Sequence, residues 1–123
     1  MITNRRSALL PTFAASLLLS GCYSTYYRDT VQDYVAAAPA VHLGMTPTQV
    51  RAILGPSQAQ LDSTDLRHDE QFLEGDSTML IQYYRSGWQS DGRLTDDEYT
   101  PYVFRDGRLV GIGWHHHRTL QPS

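Results

Sequence analysis

Lysine is missing from this 123-residue chain, and cysteine occurs once. A single cysteine excludes an intramolecular disulfide framework and any multi-cysteine zinc module. All ten cations are arginines, set against 13 acidic residues, for a net charge of −3. That balance lacks the electrostatic footprint of a nucleic-acid binder. No apolar run reaches the roughly 20 residues that a bilayer-spanning helix needs. The sequence also has no glycine-rich phosphate loop, no Gly-x-Ser-x-Gly and no local nucleophile–base–orienter set. The length suits one small domain and is too short for a dinucleotide-binding or barrel enzyme. These absences predict a protein that is not an enzyme, with no cofactor and no identifiable small-molecule substrate.

What is present begins with an address. Arg5 and Arg6 charge the start, and Ser7 to Leu19 reads SALLPTFAASLLL, without a charge. A basic start, a short apolar run and small residues after it predict a signal peptide over residues 1–21. The run ends Leu19-Ser20-Gly21-Cys22, which resembles the bacterial lipobox, whose cysteine is acylated and becomes the new N-terminus. Several acyl chains hold a protein on a bilayer stably, since each buried methylene adds about 0.8 kcal/mol. Tyr23 follows the cysteine where an aspartate would favour the inner membrane, so the resemblance implies the outer membrane, facing the periplasm. Loss of residues 1–21 would leave eight arginines against 13 acids, a side-chain charge of −5. An acidic chain is mildly repelled by anionic lipid, so attachment is expected through Cys22 rather than through a basic patch.

Residues 22–29, CYSTYYRD, have neither helical nor strand period and read as a lipidated tether. The folded domain is expected over residues 30–118, with a tail at 119–123. Val31, Tyr34 and Val35 recur at helical spacing in Thr30 to Ala38, and Pro39 is the expected stop. A second helix is predicted over residues 47–54. Thr46 is a preferred N-cap, Pro47 suits the first helical position and Gln49 completes a capping box. Met45 and Val50 form a hydrophobic staple, and Val50, Ile53 and Leu54 form the buried stripe. Gly55 is expected in the left-handed region, with Pro56 forbidding continuation.

Three strands are predicted downstream, at 78–85, 98–105 and 108–115. The last two are joined by Asp106-Gly107, a leading two-residue hairpin signal. The implied register sets Phe104 opposite Leu109, Val103 opposite Val110, Tyr102 opposite Gly111 and Tyr99 opposite Trp114. Pro101 lacks a ladder donor, which argues for an edge or a bulge there. Residues 57–76 are poor in apolar side chains and admit a short strand near 58–62. The fold expected is α+β: two short helices on a three-stranded antiparallel sheet. Both hairpin faces carry apolar residues, and two short helices cover one. Either residues 57–76 fold over the other, or it is an exposed aromatic interaction surface carrying Tyr99, Ile112 and Trp114, with Trp88 nearby in sequence. On the first reading Trp114 is a core residue.

The stretch Leu43-Gly-Met-Thr-Pro-Thr-Gln-Val-Arg-Ala-Ile-Leu-Gly-Pro56 resembles the SmpA/OmlA/BamE group of small outer-membrane lipoproteins, as does the layout of lipobox, tether, two helices and sheet. Residues 83–113 are also similar to an uncharacterised family of bacterial lipoproteins of the same fold pattern. The resemblance implies an α+β domain on the outer membrane that binds another envelope protein, in outer-membrane protein assembly or envelope integrity. The aromatic loop that follows this motif in BamE is replaced here by Ser57-Gln-Ala-Gln-Leu-Asp62.

One alternative chemistry rests on His115-His116-His117. A strand would place His115 and His117 on one side, where two imidazoles could begin a metal site completed by His42, His68 or an acid. The periplasmic metal-binding lipoprotein that this describes is the second functional reading. The acidic run Asp91 to Glu98 lacks calcium-loop spacing and reads as a solvated loop, with a capping or salt-bridging role for one acid.

Overall fold

A computed structural model describes residues 27–87 and 96–115. Helix α1 covers residues 27–37 and passes into a 3-10 turn, Ala38–Ala40. It therefore starts inside the stretch expected to be tether, and Pro39 sits in the tighter turn rather than directly after the helix. Tyr34 faces inward from α1, and its hydroxyl meets that of Tyr102 at 2.6 Å in the core.

Helix α2, Pro47–Leu54, forms for the reasons its sequence gives. The Thr46 hydroxyl accepts from Gln49 N at 3.2 Å, and Gln49 Oε1 accepts from Thr46 N at 3.0 Å. The box satisfies two orphan donors, and Val50 and Leu54 are fully buried. The expected stop differs. Gly55 has φ −55° and ψ −44°, so the chain stays right-handed and tightens into a 3-10 turn, Gly55–Gln58. Glycine is explained here by its neighbour: a proline disfavours the right-handed region for a preceding residue that carries a Cβ. Gly55 has none.

The sheet has four strands, one more than expected: β1 Glu70–Glu74, β2 Ser77–Arg85, β3 Tyr99–Arg105 and β4 Arg108–Ile112. They pair antiparallel in the order β1-β2-β3-β4. Residues 58–62 form turns rather than a strand, and β1 lies further along. Asp106 and Gly107 both take positive φ, 48° and 81°, the conformation that fits a right-twisted hairpin. Phe104 pairs with Leu109 as expected. The register then slips at a bulge: Val103 faces Gly111 and Tyr102 faces Ile112, so Val110 is left unpaired and exposed. Pro101 lies in an interior strand rather than at an edge. Its carbonyl accepts from Gly113 N at 2.8 Å just beyond the last paired residue, so the missing N–H forgoes a bond only where the ladder ends.

Two apolar layers result. Tyr84, Tyr102, Phe104 and Leu109 lie under Tyr34, Val41, Val50 and Leu54 from the helical side. Met79, Ile81, Tyr83, Tyr99 and Val103 form the second layer, with Phe72 and Trp114 packed against it. Among the described residues, no helix is long and apolar enough to cross a membrane.

Candidate functional site

Tyr99 and Trp114 do come together, at the start of β3. The Trp114 indole Nε1 donates to Tyr99 O at 2.9 Å, and its ring lies 5.9 Å from the Tyr83 centroid. The Arg67 guanidinium covers both rings, 4.1 Å from the Tyr83 centroid and 5.2 Å from that of Trp114. Arg67 is held in turn by Asp96 at 2.6 Å. Part of the 57–76 stretch thus folds over the second face. Tyr99 is buried, and its hydroxyl donates to Asp65 O at 2.7 Å, so it belongs to the core rather than to a docking surface. Trp114, half-buried, seals the edge of that core. Ile112 is not with them: the bulge in β4 pairs it with Tyr102, on the helical side. Trp88, like Cys22 and His117, lies outside the described residues.

His115 is exposed and follows Trp114 in a helical turn after Gly113. The alternation of a strand, which would align it with His117, therefore does not apply at that position. Among the described residues, no group of three or more metal-ligating side chains is assembled.

The centre that sequence reasoning missed is ionic and buried. Arg85 is 3 % exposed, Glu98 1 % and Asp65 9 %. Arg85 reaches Asp65 Oδ1 at 3.5 Å and Glu98 Oε2 at 3.7 Å, and its guanidinium lies 4.5 Å from the Tyr27 ring centroid. The Tyr27 hydroxyl donates to Asp65 Oδ2 at 3.4 Å. Taking these charges out of water costs free energy that their attraction only roughly offsets, but removing one partner leaves an uncompensated buried charge. The group ties α1, the 61–69 segment, the end of β2 and the turn Asp96–Glu98 to one another. Alternation was the available signal: Tyr83 and Arg85 fall on the same strand face, so Arg85 continues an inward-facing row. Of the acidic run, Glu98 and Asp96 both bridge arginines.

A groove opens beside α2 and ahead of β1, on the helical side at one end and reaching Tyr83 and Arg67 around the edge of β2 at the other. It comprises two hollows of about 530 and 640 Å³, and the Arg51–Asp69 pair, 2.7 Å apart, borders both. Leu80 and Gln82 lie in the first, Tyr84 and His68 in the second. Burial pushes the Tyr84 hydroxyl up to about 12, and raises Tyr83 as well, where Glu70 adds a hydrogen bond and negative charge. Both phenols stay neutral at ordinary pH, and each donates its proton within the domain, Tyr84 to Gln82 Oε1 at 2.8 Å and Tyr83 to Glu70. Arg51 and Arg67 stand at its rims, each already paired with a carboxylate, Asp69 at 2.7 Å and Asp96 at 2.6 Å.

A family model described as "Protein of unknown function (DUF3192)" matches residues 23–119. No curated protein and no solved structure matches the chain.

Proposed function

We propose, from the premise that this chain belongs to the DUF3192 family, that it is a lipid-anchored envelope protein that works by binding another protein rather than by catalysis. In this reading Cys22 is acylated, residues 1–21 are removed, and the domain stands on the periplasmic face of the outer membrane. The resemblance to the SmpA/OmlA/BamE group supports a task in outer-membrane protein assembly or envelope integrity.

The observation that carries the reading is how soon the chain is docked after the lipobox. Tyr27 follows Cys22 by five residues and already rests on Arg85 and Asp65. Five residues span at most about 18 Å. Such a leash keeps the domain at the membrane surface with the Arg85 end of the sheet nearest to it, which suits a binding module for partners embedded in or lying on that membrane.

The test is metabolic labelling with a radioactive fatty acid, followed by membrane fractionation. The wild-type protein is expected to carry label and to sediment with outer membranes. Cys22→Ser is expected to lose both. A variant that stays with the outer membrane, or an unlabelled wild type, overturns the anchor.

A further inference from the structure

The backbone at the borders of this sheet is closed at two places by unlike devices. Along β4, Gly44 N donates to Leu109 O at 2.8 Å and Leu109 N donates to Met45 O at 2.7 Å. Along the part of β2 that extends past β1, the Gln58 side chain takes the place of a strand. Its Oε1 accepts from Arg85 N at 2.7 Å and its Nε2 donates to Arg85 O at 3.0 Å. Strand β1 is different. Leu73 is 74 % exposed, and every other β1 residue except Phe72 is exposed too.

Which backbone groups of β1 face outward follows from β2. Thr78 uses both its N–H and its carbonyl towards the β3 side: its N donates to Asp106 Oδ1 at 2.9 Å, and its O accepts from Asp106 N at 2.8 Å. Leu73, its partner in the register, is therefore in a non-hydrogen-bonded pair, and its own N–H and carbonyl point away from β2. Gln71, two residues earlier, does the same. Among the described residues, no backbone group pairs with either on that outer side. An edge of this kind is a template for another strand.

The side chains select the occupant. The eight residues Asp69 to Asp76 hold four acids and no cation. Glu70 and Glu74 share one face with Phe72, as their partners Ile81, Ser77 and Met79 show. Arg67 approaches Glu70 at 3.9 Å and Tyr83 donates a hydrogen bond to it, while Arg105 approaches Glu74 at 3.7 Å. Antiparallel pairing of β1 with a second copy, centred on Phe72, would set Glu70 against Glu74 twice over. Like charges directly opposite destabilise a sheet. We propose that β1 docks an extended, basic segment of a partner protein as a fifth strand, with cationic, apolar and cationic side chains opposite Glu70, Phe72 and Glu74. The proposal rests on the binding role proposed above and names its surface and its partner.

The experiment titrates the purified full chain against two fluorescent peptides. One alternates arginine, valine and arginine on one face with threonine on the other; its counterpart carries glutamate for arginine. The arginine peptide is expected to bind tighter by about tenfold or more. Leu73→Pro removes an outward N–H without removing a β1–β2 hydrogen bond, so it should fold and lose that binding. Glu70→Arg with Glu74→Arg should reverse the preference between peptides, which keeps the proposal exposed should the proline variant misfold. Equal or absent binding of both peptides overturns the proposal, as does an unaffected Leu73→Pro that folds. A concentration-dependent dimer abolished by Leu73→Pro also overturns it, because the occupant is then a second copy. Fractionation of Cys22→Ser reads anchoring independently, so a failed anchor with intact peptide selectivity counts against the anchor alone.

Discussion

The carboxamide of Gln58 is paired with the backbone of Arg85 on both its hydrogen-bonding groups, although the two residues lie 27 apart in the chain. A side chain thereby supplies one rung of ladder where β1 has not yet begun. Ser57 Oγ accepts from Gln58 Nε2 at 2.9 Å and donates to Leu54 O at 2.6 Å, which links the amide to the end of α2. Gln58 thereby links the strand end that carries the Arg85 ion centre to the end of α2.

Gln58→Ala is expected to leave the Arg85 N–H and carbonyl buried without partners. Each of the two orphaned groups costs about 1–3 kcal/mol, so a loss of roughly 2–6 kcal/mol is expected. Urea unfolding followed by circular dichroism measures it. Gln58→Glu keeps the acceptor and loses the donor, and should fall between wild type and alanine. An unchanged midpoint for Gln58→Ala would mean that water replaces the amide at no cost.

At Gly55 the strain of a substitution arises from the next residue. An added Cβ would meet Arg51 Cγ at 3.6 Å, an ordinary contact, and φ is not positive. Gly55→Ala is nevertheless expected to destabilise by about 1 kcal/mol, because alanine before proline resists the right-handed region. Gly55→Ala with Pro56→Ala should recover most of that loss in a double-mutant cycle. If the proline replacement gives no recovery, the penalty lies elsewhere.

The buried tyrosines predict an alkaline limit to stability. Tyr83, Tyr84, Tyr99 and Tyr102 all titrate above the ordinary value of 10.0, with burial as the largest cause, and Tyr84 reaches about 12. Between these values the unfolded chain has released phenolic protons that the folded chain retains, so stability falls as pH rises. The contribution is complete below about pH 10 and is lost as pH climbs through the folded values. Urea midpoints are expected to decline from about pH 10 upwards, and Tyr84→Phe should lessen the slope. A midpoint independent of pH over that range would sink the assignment.

The elements legible in the sequence are those whose local chemistry and tertiary role agree. The Thr46–Gln49 box, the Asp106-Gly107 turn and the alternation along β2 each name a conformation that packing then uses. Strand β1 was not legible because its side chains are exposed on both faces apart from Phe72, so no period of two survives. The bulge at Val110 was not legible either, since counting outward from a turn assumes an unbroken ladder. That one extra residue also moved Ile112 away from Tyr99 and Trp114, so the expected aromatic surface lost a member for a backbone reason. Arg85, Asp65 and Glu98 were hidden by their polarity. Singly each reads as solvated, and only the fold brings the three together.

The sheet joins every strand to its neighbour in sequence, whereas α1 finds its partners far away: Tyr34 meets Tyr102 across 68 residues, and Tyr27 meets Asp65 across 38. Short-range pairings close quickly and long-range ones slowly, because loop closure costs entropy before any contact rewards it. Helix α1 comes first among the described elements and its seat on β3 comes late in the chain, so it is the last part able to settle. Until then the apolar side of α1 and the helical face of the sheet are both bare. The interval between emergence and docking is when this chain is most open to a chaperone, a protease or a neighbour of its own kind.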